Sequence, residues 1–320
     1  MRVAWVVHNP AAGRFPSESS VRRAVAVFAG AGWSVRSETA TRREHLQELV
    51  IGAARSGADV LVVAGGDGTV GLAASLLRGS QTALAVLPTG TANVWARELG
   101  TPPPHWSQRG AFDLIAERLI AGEVRPVDLG EANGRAFLLW AGTGLDARVV
   151  NLVEPRRRMD KVLPTTLYAI HALRSAQGWE GMDLEVSWPG GKVRGRYLVA
   201  VASNVRSYGG GLLRLAPEAR VDDGLLDFWI LEGKTIGDTV VRLLQVARGV
   251  HLKGSGFVHF RSAEAEFRSG GSLPMHFDGE PGTVQSPVSV RVLPKDLLVL
   301  LPSGGATGLF QSTGSASSEA

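Results

Sequence analysis

The stretch Val62-Val63-Ala64-Gly65-Gly66-Asp67-Gly68-Thr69 constrains this chain more than any other, because an apolar strand stops there in a glycine-rich turn holding one acid and one hydroxyl. Glycines at 65, 66 and 68 let the backbone take positive φ and bring N–H groups up to an anion with no Cβ in the way. Asp67 can then work through a metal ion, and Thr69 can donate to a phosphate. The same residues would also make an ordinary tight turn after a buried strand. Two further segments bear on the choice. Ala83 to Leu87 is a second apolar strand, running through Pro88-Thr89-Gly90-Thr91-Ala92-Asn93 into a short helix. The first N–H groups of a helix are unsatisfied and partly positive, so an anion beside Gly90 and Thr91 is stabilised, with Asn93 either capping the turn or touching a nucleotide. Asn9-Pro10-Ala11-Ala12-Gly13 follows the strand Val3 to Val7 and sets a third flexible turn at a strand's carboxyl end. Such turns gathered in one α/β unit point to a nucleotide cleft.

Before about residue 125 the pattern alternates strand and helix: Val3–Val7, Ser17–Ala29, Ser34–Glu38, Arg42–Arg55 and Asp59–Ala64. Leu46, Leu49, Val50 and Ala53 lie at helical spacing, and Gly57 is placed to cap that helix. Alternation of this kind predicts a parallel sheet covered by helices. Thr101-Pro102-Pro103-Pro104 interrupts the chain before another apolar helix, Phe112 to Ile120. From Val127 strands and turns take over, with hairpin signals at Asn133-Gly134 and Pro189-Gly190-Gly191. Helices are expected at Thr166–Ala176 and Ile236–Ala247, and strands at Val258–Phe267 and Val288–Leu293. The expected organisation is an α/β domain over 1–125, a β-rich antiparallel domain over 126–295 and a flexible tail over 303–320, apart from Leu309-Phe310. Trp95, Trp140 and Trp229 fall within elements and read as core.

Composition narrows the function classes. No segment offers the roughly 18 uninterrupted apolar residues of a membrane span. The start also lacks a signal peptide's apolar stretch, since Val3 to Val7 breaks at His8-Asn9-Pro10. Cysteine is absent, which excludes disulfides and thiol chemistry and agrees with a cytoplasmic protein. The 34 basic and 30 acidic residues leave a net charge of +4, too slight to indicate a nucleic-acid partner.

In order and spacing, Asn9-Pro10-x-x-Gly13, Gly65-Gly66-Asp67-Gly68-Thr69 and Pro88-x-Gly90-Thr91-x-Asn93 resemble the catalytic domain of diacylglycerol kinases and their bacterial lipid-kinase relatives. Sphingosine and ceramide kinases are similar. The resemblance continues through Gly142-Thr143-Gly144-Leu145-Asp146-Ala147, Tyr208-Gly209-Gly210-Gly211, Pro217-x-Ala219, Asp222-Asp223-Gly224-Leu225-Leu226-Asp227 and Asp278-Gly279-Glu280. It covers nearly all of the chain to about residue 302.

The resemblance implies a Rossmann-like, NAD-kinase-like parallel domain, a β-rich second domain, an active site in the cleft between them, and a last segment, about 296–302, that returns to the first domain. It implies transfer of the γ-phosphate of ATP, with Mg2+, to a lipid hydroxyl, diacylglycerol leading and phosphatidylglycerol or a long-chain base as other acceptors. ATP contacts would come from Asn9, Pro10, Gly13, Gly65, Gly66, Asp67, Gly68, Thr69, Gly90, Thr91 and Asn93, with Thr39 added unless Thr41 aligns instead. Asp67 would also serve catalysis through the metal. Glu280 would accept the hydroxyl's proton, with Asp278 as supporting or alternative base, and the adjacent His276 reads as structural. A structural magnesium would be held by the Asp223 side chain and the carbonyls of Arg220 and Leu225, and Asp128 would connect that site to the cleft.

One position departs from the family's pattern. Many members carry an acid where Val94 stands, and a valine can neither accept a hydrogen bond nor hold a metal-bound water. Competing readings are an NAD kinase, which shares the Gly-Gly-Asp-Gly-Thr loop, and a nucleotide- or lipid-binding protein that has lost catalysis; the 208–211 and 222–227 segments favour the lipid branch. Arg156-Arg157-Arg158 with Lys161 is either a contact for anionic headgroups or a solvated helix face. The expected partners are ATP and a lipid acceptor at the inner face of the membrane, with a homodimer left open.

Overall fold

Strands buried on both faces must lie inside a sheet covered by helices. In the amino-terminal half, β3 (Val60–Gly65) and β4 (Ala83–Pro88) are buried along their whole length. With β1 (Val3–His8) and β2 (Ser34–Thr39) they form a parallel set in the order β4-β3-β1-β2. The computed structural model describes residues 1–12, 18–103, 108, 110–153, 179–305 and 307–311. One side of the parallel set is covered by α1 (Glu18–Gly30) and α5 (Ala111–Ile120), whose Phe28, Phe112 and Ile115 share a core with Val62 and Leu87. The other side is covered by α2 (Arg43–Arg55), α3 (Asp67–Leu77) and the short α4 (Val94–Glu98), through Leu46, Val50, Val70, Ala73 and Trp95.

The second half is antiparallel. Its strands are β5 (Glu123–Ala132), β6 (Arg135–Phe137), β7 (Trp140–Gly144), β8 (Met182–Trp188), β9 (Gly191–Ser203), β10 (Leu226–Glu232), β11 (Phe257–Ser262), β12 (Glu264–Arg268), β13 (Ser272–Phe277), β14 (Glu280–Gln285) and β15 (Val288–Leu301). Helices α6 (Leu145–Val153) and α7 (Ile236–Ala247) interrupt them. Asn133 and Gly134, with φ of 45° and 85°, turn the β5–β6 hairpin.

Two expectations change. The strand expected over Val258–Phe267 breaks at Ala263, because β11 pairs with β10 while β12 crosses to β8 and β15. The strands expected at Val288–Leu293 and near 296–302 are one strand, β15, bulged between Leu293 and Leu297 where Lys295 takes a φ of 55°. β15 runs antiparallel to β5 and, at Val299, parallel to Leu84 of β4, so both halves share one continuous sheet. Gly13, the basic run at 156–158 with Lys161, the helix expected over 166–176 and most of the tail lie outside the described residues. Leu309 and Phe310 are buried, and Arg125 lies over the Phe310 ring. Trp95, Trp140 and Trp229 are core residues. Among the described residues, no helix is long and apolar enough to cross a membrane.

Candidate active site

The turns at the carboxyl ends of β1, β3 and β4 are laced together. Asn9 donates its backbone N–H to the Ala64 carbonyl at 2.9 Å and its side-chain amide to Thr69 Oγ1 at 2.9 Å. Thr89 donates its N–H to the Gly65 carbonyl at 3.1 Å and its hydroxyl to the Ala12 carbonyl at 3.0 Å. The positive φ expected of Gly65, Gly66 and Gly68 does not occur; Gly66 sits at −98°. These glycines serve by lacking a side chain. A Cβ on Gly65 would come within 2.7 Å of Thr69 Cβ, and one on Gly90 within 2.6 Å of Gly66 Cα. Gly66 opens α3, whose N-terminus has no side-chain cap, leaving first-turn N–H groups for an anion.

Pro10, Thr39, Gly68 and Thr91 have exposed positions on this same edge of the parallel set, Thr39 at the end of β2 opposite His8. Asn93 behaves differently. At a φ of 47° it is buried, accepts the Gly90 N–H at 3.1 Å and donates to the Gly90 carbonyl, so its amide is spent on its own turn.

Across the cleft, the Asp278-Gly279-Glu280 turn joins β13 to β14. Asp278, at a φ of 52°, accepts three backbone N–H groups: Leu138 at 2.8 Å, Leu139 at 2.7 Å and Trp140 at 3.1 Å. Both oxygens are occupied, so this carboxylate organises the link between β6 and β7. Burial pushes Asp278 above the usual carboxylate range while those N–H groups pull it back. Glu280 instead meets two guanidinium groups. Arg43 reaches it with Nη1–Oε1 at 2.8 Å and Nη2–Oε2 at 3.1 Å, and Arg135 Nη2 lies 3.3 Å from Oε2. Arg135 also lies over the Phe277 ring, 4.2 Å from its centroid.

A glycine face on α3 lets this turn approach the loop at 65–69. The Cβ position of Gly68 is 3.7 Å from Glu280 Oε1, and that of Gly71 is 2.9 Å from Asp278 Oδ2. Asp67 accepts the Trp95 N–H at 3.3 Å, and burial raises its pKa to about 6, with the negative charge of Asp278 adding to the rise. Beside these acids opens a cavity of about 450 Å³ lined in part by Arg43, Arg78, Arg135, Gly71 and Glu280.

The two magnesium positions implied by resemblance fare differently. A carboxylate whose charged form is penalised by burial is stabilised by a nearby cation. Asp67, beside the uncapped start of α3, therefore suits a magnesium that keeps most of its ligands as water and phosphate. The Asp223 position does not fit one. Asp223 Oδ1 accepts the Leu225 N–H at 3.1 Å, and Oδ2 pairs with the Arg261 guanidinium, which also bonds Asp227 at 3.3 Å. The positive charge expected from a metal at Arg220, Asp223 and Leu225 is thus supplied by Arg261. Asp128 is likewise no bridge to the cleft: it is fully buried, with Oδ2 taking the Gly224 N–H at 2.7 Å and Oδ1 the Lys295 N–H at 2.8 Å. Burial raises its pKa against those donors. Among the described residues no group of three or more His, Cys, Asp or Glu side chains forms a metal site.

Sequence reasoning missed Arg43, Arg135, Gly71 and Arg261. Gly68 and Gly71, three apart on a helix, were the available signal for a close approach on one face. The arginines had none, because their partners are distant in sequence. His276 is buried and structural: it bonds Asp146 at 2.8 Å, and Asp146 also accepts the Tyr208 hydroxyl.

Residues 3–132 match the diacylglycerol kinase catalytic domain, and residues 140–301 match the YegS C-terminal NAD kinase beta sandwich-like domain. A Pseudomonas aeruginosa (strain PAO1) protein named "Probable lipid kinase YegS-like" is 33% identical over 95% of this chain and 95% of its own length. The protein named "Diacylglycerol kinase" of Bacillus subtilis (strain 168) is 25% identical over 88% of this chain and 91% of its own. The crystal structure of a diacylglycerol kinase from Bacillus anthracis str. Sterne shares the fold, with a TM-score of 0.70 at 19% identity over 95% of this chain and 98% of that one. With both domain models in sequence and a full-length relative at this identity, the chain belongs to the YegS-like lipid kinases that carry a diacylglycerol kinase catalytic domain.

Proposed function

We propose that this chain transfers the γ-phosphate of ATP to the hydroxyl of a membrane lipid at the cytoplasmic face, with diacylglycerol as the leading acceptor and phosphatidic acid as product. One observation carries the reading: Glu280 Oε1 stands 3.7 Å from the Cβ position of Gly68, so a carboxylate able to take a proton faces the first turn of α3, where phosphate is best stabilised.

Phosphoryl transfer leaves a protein little to do beyond positioning and neutralising charge. Asp67 and Gly68 at the open start of α3 offer backbone N–H groups and that end's partial charge, Thr39 and Thr91 offer hydroxyls, and Asn9, Pro10, Gly65, Gly66, Thr69 and Gly90 shape the room for the nucleotide's phosphates. Magnesium bound with the nucleotide would neutralise phosphate oxygens, and Asp67 is the side chain that would hold it. Glu280 orients the acceptor hydroxyl and takes its proton late in transfer. To do so it gives up part of its contact with Arg43 and Arg135, whose freed N–H groups then face the transferred phosphoryl group across the same cavity. Asp278 holds residues 138–140 in place as the wall of that cavity.

The test is incubation of purified protein with γ-labelled ATP, magnesium and separate samples of diacylglycerol, phosphatidylglycerol, a long-chain base and NAD. Label in diacylglycerol is expected. Label in another lipid keeps the reaction and changes the acceptor, while label in NAD alone, or in nothing, overturns the reading.

A further inference from the structure

Helix α7 is built inside out. Its N-terminus is firmly capped, Thr235 Oγ1 accepting the Asp238 N–H at 3.1 Å and Asp238 accepting the Thr235 N–H at 2.9 Å. One side of it carries Arg242, Gln245 and Val246, and this side is turned to the protein. Arg242 donates to the Glu232 carbonyl at 3.1 Å, the Ser255 carbonyl at 2.8 Å and Gln245 Oε1 at 2.9 Å, while Val246 is buried. The opposite side presents Val240, Leu243 and Leu244 to solvent at 37%, 42% and 45% exposure, with Val241 at 50%. A surface helix ordinarily buries its apolar stripe and wets its polar one.

The turn after α7 extends the patch with Val250 at 52% and Leu252 at 49% exposure. Ten large apolar side chains are exposed among the described residues, and six of them lie between 240 and 252, which is concentration rather than scatter. The platform is anchored: buried His251 donates Nε2–H to the Leu215 carbonyl at 2.9 Å and packs on Trp229.

Charge decides what such a face meets. Lys234, Arg248 and Lys253 are exposed around it, and their side chains bond no described residue. The one acid in 234–253 is Asp238, whose carboxylate is occupied by the N–H groups of Lys234 and Thr235. Pairing two copies through a two-fold axis would set identical cationic rims against each other. A bilayer containing anionic lipid accepts both parts, apolar side chains at the acyl boundary and cations among the phosphates.

We infer that α7 and the turn after it, residues 240–252, dock this chain onto an anionic membrane surface, a role that presumes the lipid acceptor proposed above. Sedimentation of the full chain with vesicles tests it, using phosphatidylcholine alone or mixed equally with phosphatidylglycerol. Binding to the mixed vesicles alone is expected. The double variant Leu243→Ser/Leu244→Ser lowers partitioning roughly tenfold or more, and Arg248→Glu/Lys253→Glu does the same while removing its salt dependence. Both variants keep the parent's melting temperature and its transfer to a short-chain diacylglycerol presented as monomer. Docking is overturned if the parent ignores mixed vesicles, if either variant binds like the parent, or if the parent is a dimer that the leucine variant dissociates. Failure of the kinase reading looks different: vesicles bound normally with no lipid labelled.

Discussion

Arg43 and Glu280, 237 residues apart along the chain, meet in a two-point pair with N–O distances of 2.8 and 3.1 Å. Arg43 opens α2 in the parallel half and Glu280 opens β14 in the antiparallel half, so the pair bridges the cleft. Both side chains are partly exposed, at 53% and 31%, and such pairs stabilise a fold by about 1 kcal/mol or less. A contact that weak is readily exchanged for a substrate's phosphate, which suits a role in the reaction better than one in holding the halves together.

Glu280→Gln is therefore expected to lower turnover by about 100-fold or more while leaving nucleotide affinity and melting temperature nearly unchanged. Calorimetric titration with nucleotide and labelled-ATP transfer check it together. Weakened nucleotide binding with normal turnover at saturation would move Glu280 to the ATP side.

Asp67 couples activity to stability with opposite signs. Folding raises its pKa from the ordinary 3.8 to about 6, so the folded state binds this proton more tightly than the unfolded state. Its contribution is most favourable below the lower value, declines as pH rises between the two, and is a constant cost above the upper one. Asp67→Asn should abolish transfer, by about 100-fold or more, yet melt higher than the parent above pH ~7 when nucleotide and magnesium are absent. The two melting curves should converge as pH falls toward the ordinary carboxylate value. A variant that melts lower than the parent above neutrality would contradict the assignment.

Gly90→Ala tests the contact between turns. Its Cβ would lie 2.6 Å from Gly66 Cα, backbone against backbone, so the turns must separate. Nucleotide affinity should fall at least about tenfold, the size of effect expected when well-placed N–H donors are displaced. Gly52→Ala is the control. In the middle of α2 its Cβ meets only the Trp5 ring at an ordinary 3.4 Å, and replacing a helical glycine should stabilise by about 0.5–1 kcal/mol without altering nucleotide binding.

Arg261 supplies the charge that a metal would bring to Asp223 and Asp227, whose side chains are only 6% and 2% exposed. Without nucleotide, magnesium should leave the parent's melting temperature unchanged. Arg261→Ala strands the two carboxylates, although His259 still bonds Asp227 at 2.9 Å, and should cost roughly 3 kcal/mol. Magnesium should restore part of that loss. A parent stabilised by magnesium alone would show that the metal displaces the arginine.

What could be read in advance was local. The strand ending at Gly65 and the turns at Asn9 and Gly90 declare themselves through apolar runs broken by glycine, and the structure sets them side by side. Helix α3 escaped notice because Gly68 and Gly71 interrupt its apolar residues within the first turns. Asp278 looked like a base because only the folded chain shows three N–H groups of residues 138–140 converging on it. Arg43, Arg135 and Arg261 carry no local pattern at all; their meaning comes from acids that the topology delivers from far along the chain.

β15 bears on how this protein is made. β4 has no neighbour on its outer side until Val299 arrives, and β5 waits for the same strand along most of its length. On the ribosome, the amino-terminal half therefore emerges early with an open parallel edge and stays open throughout synthesis of the antiparallel half. An unpaired edge of that kind invites wrong partners, so the nascent chain should lean on holding chaperones more than its size suggests. A premature stop or a proteolytic nick just before Val288 would then open both halves at once, because β15 pairs with β5 and β12 as well as with β4.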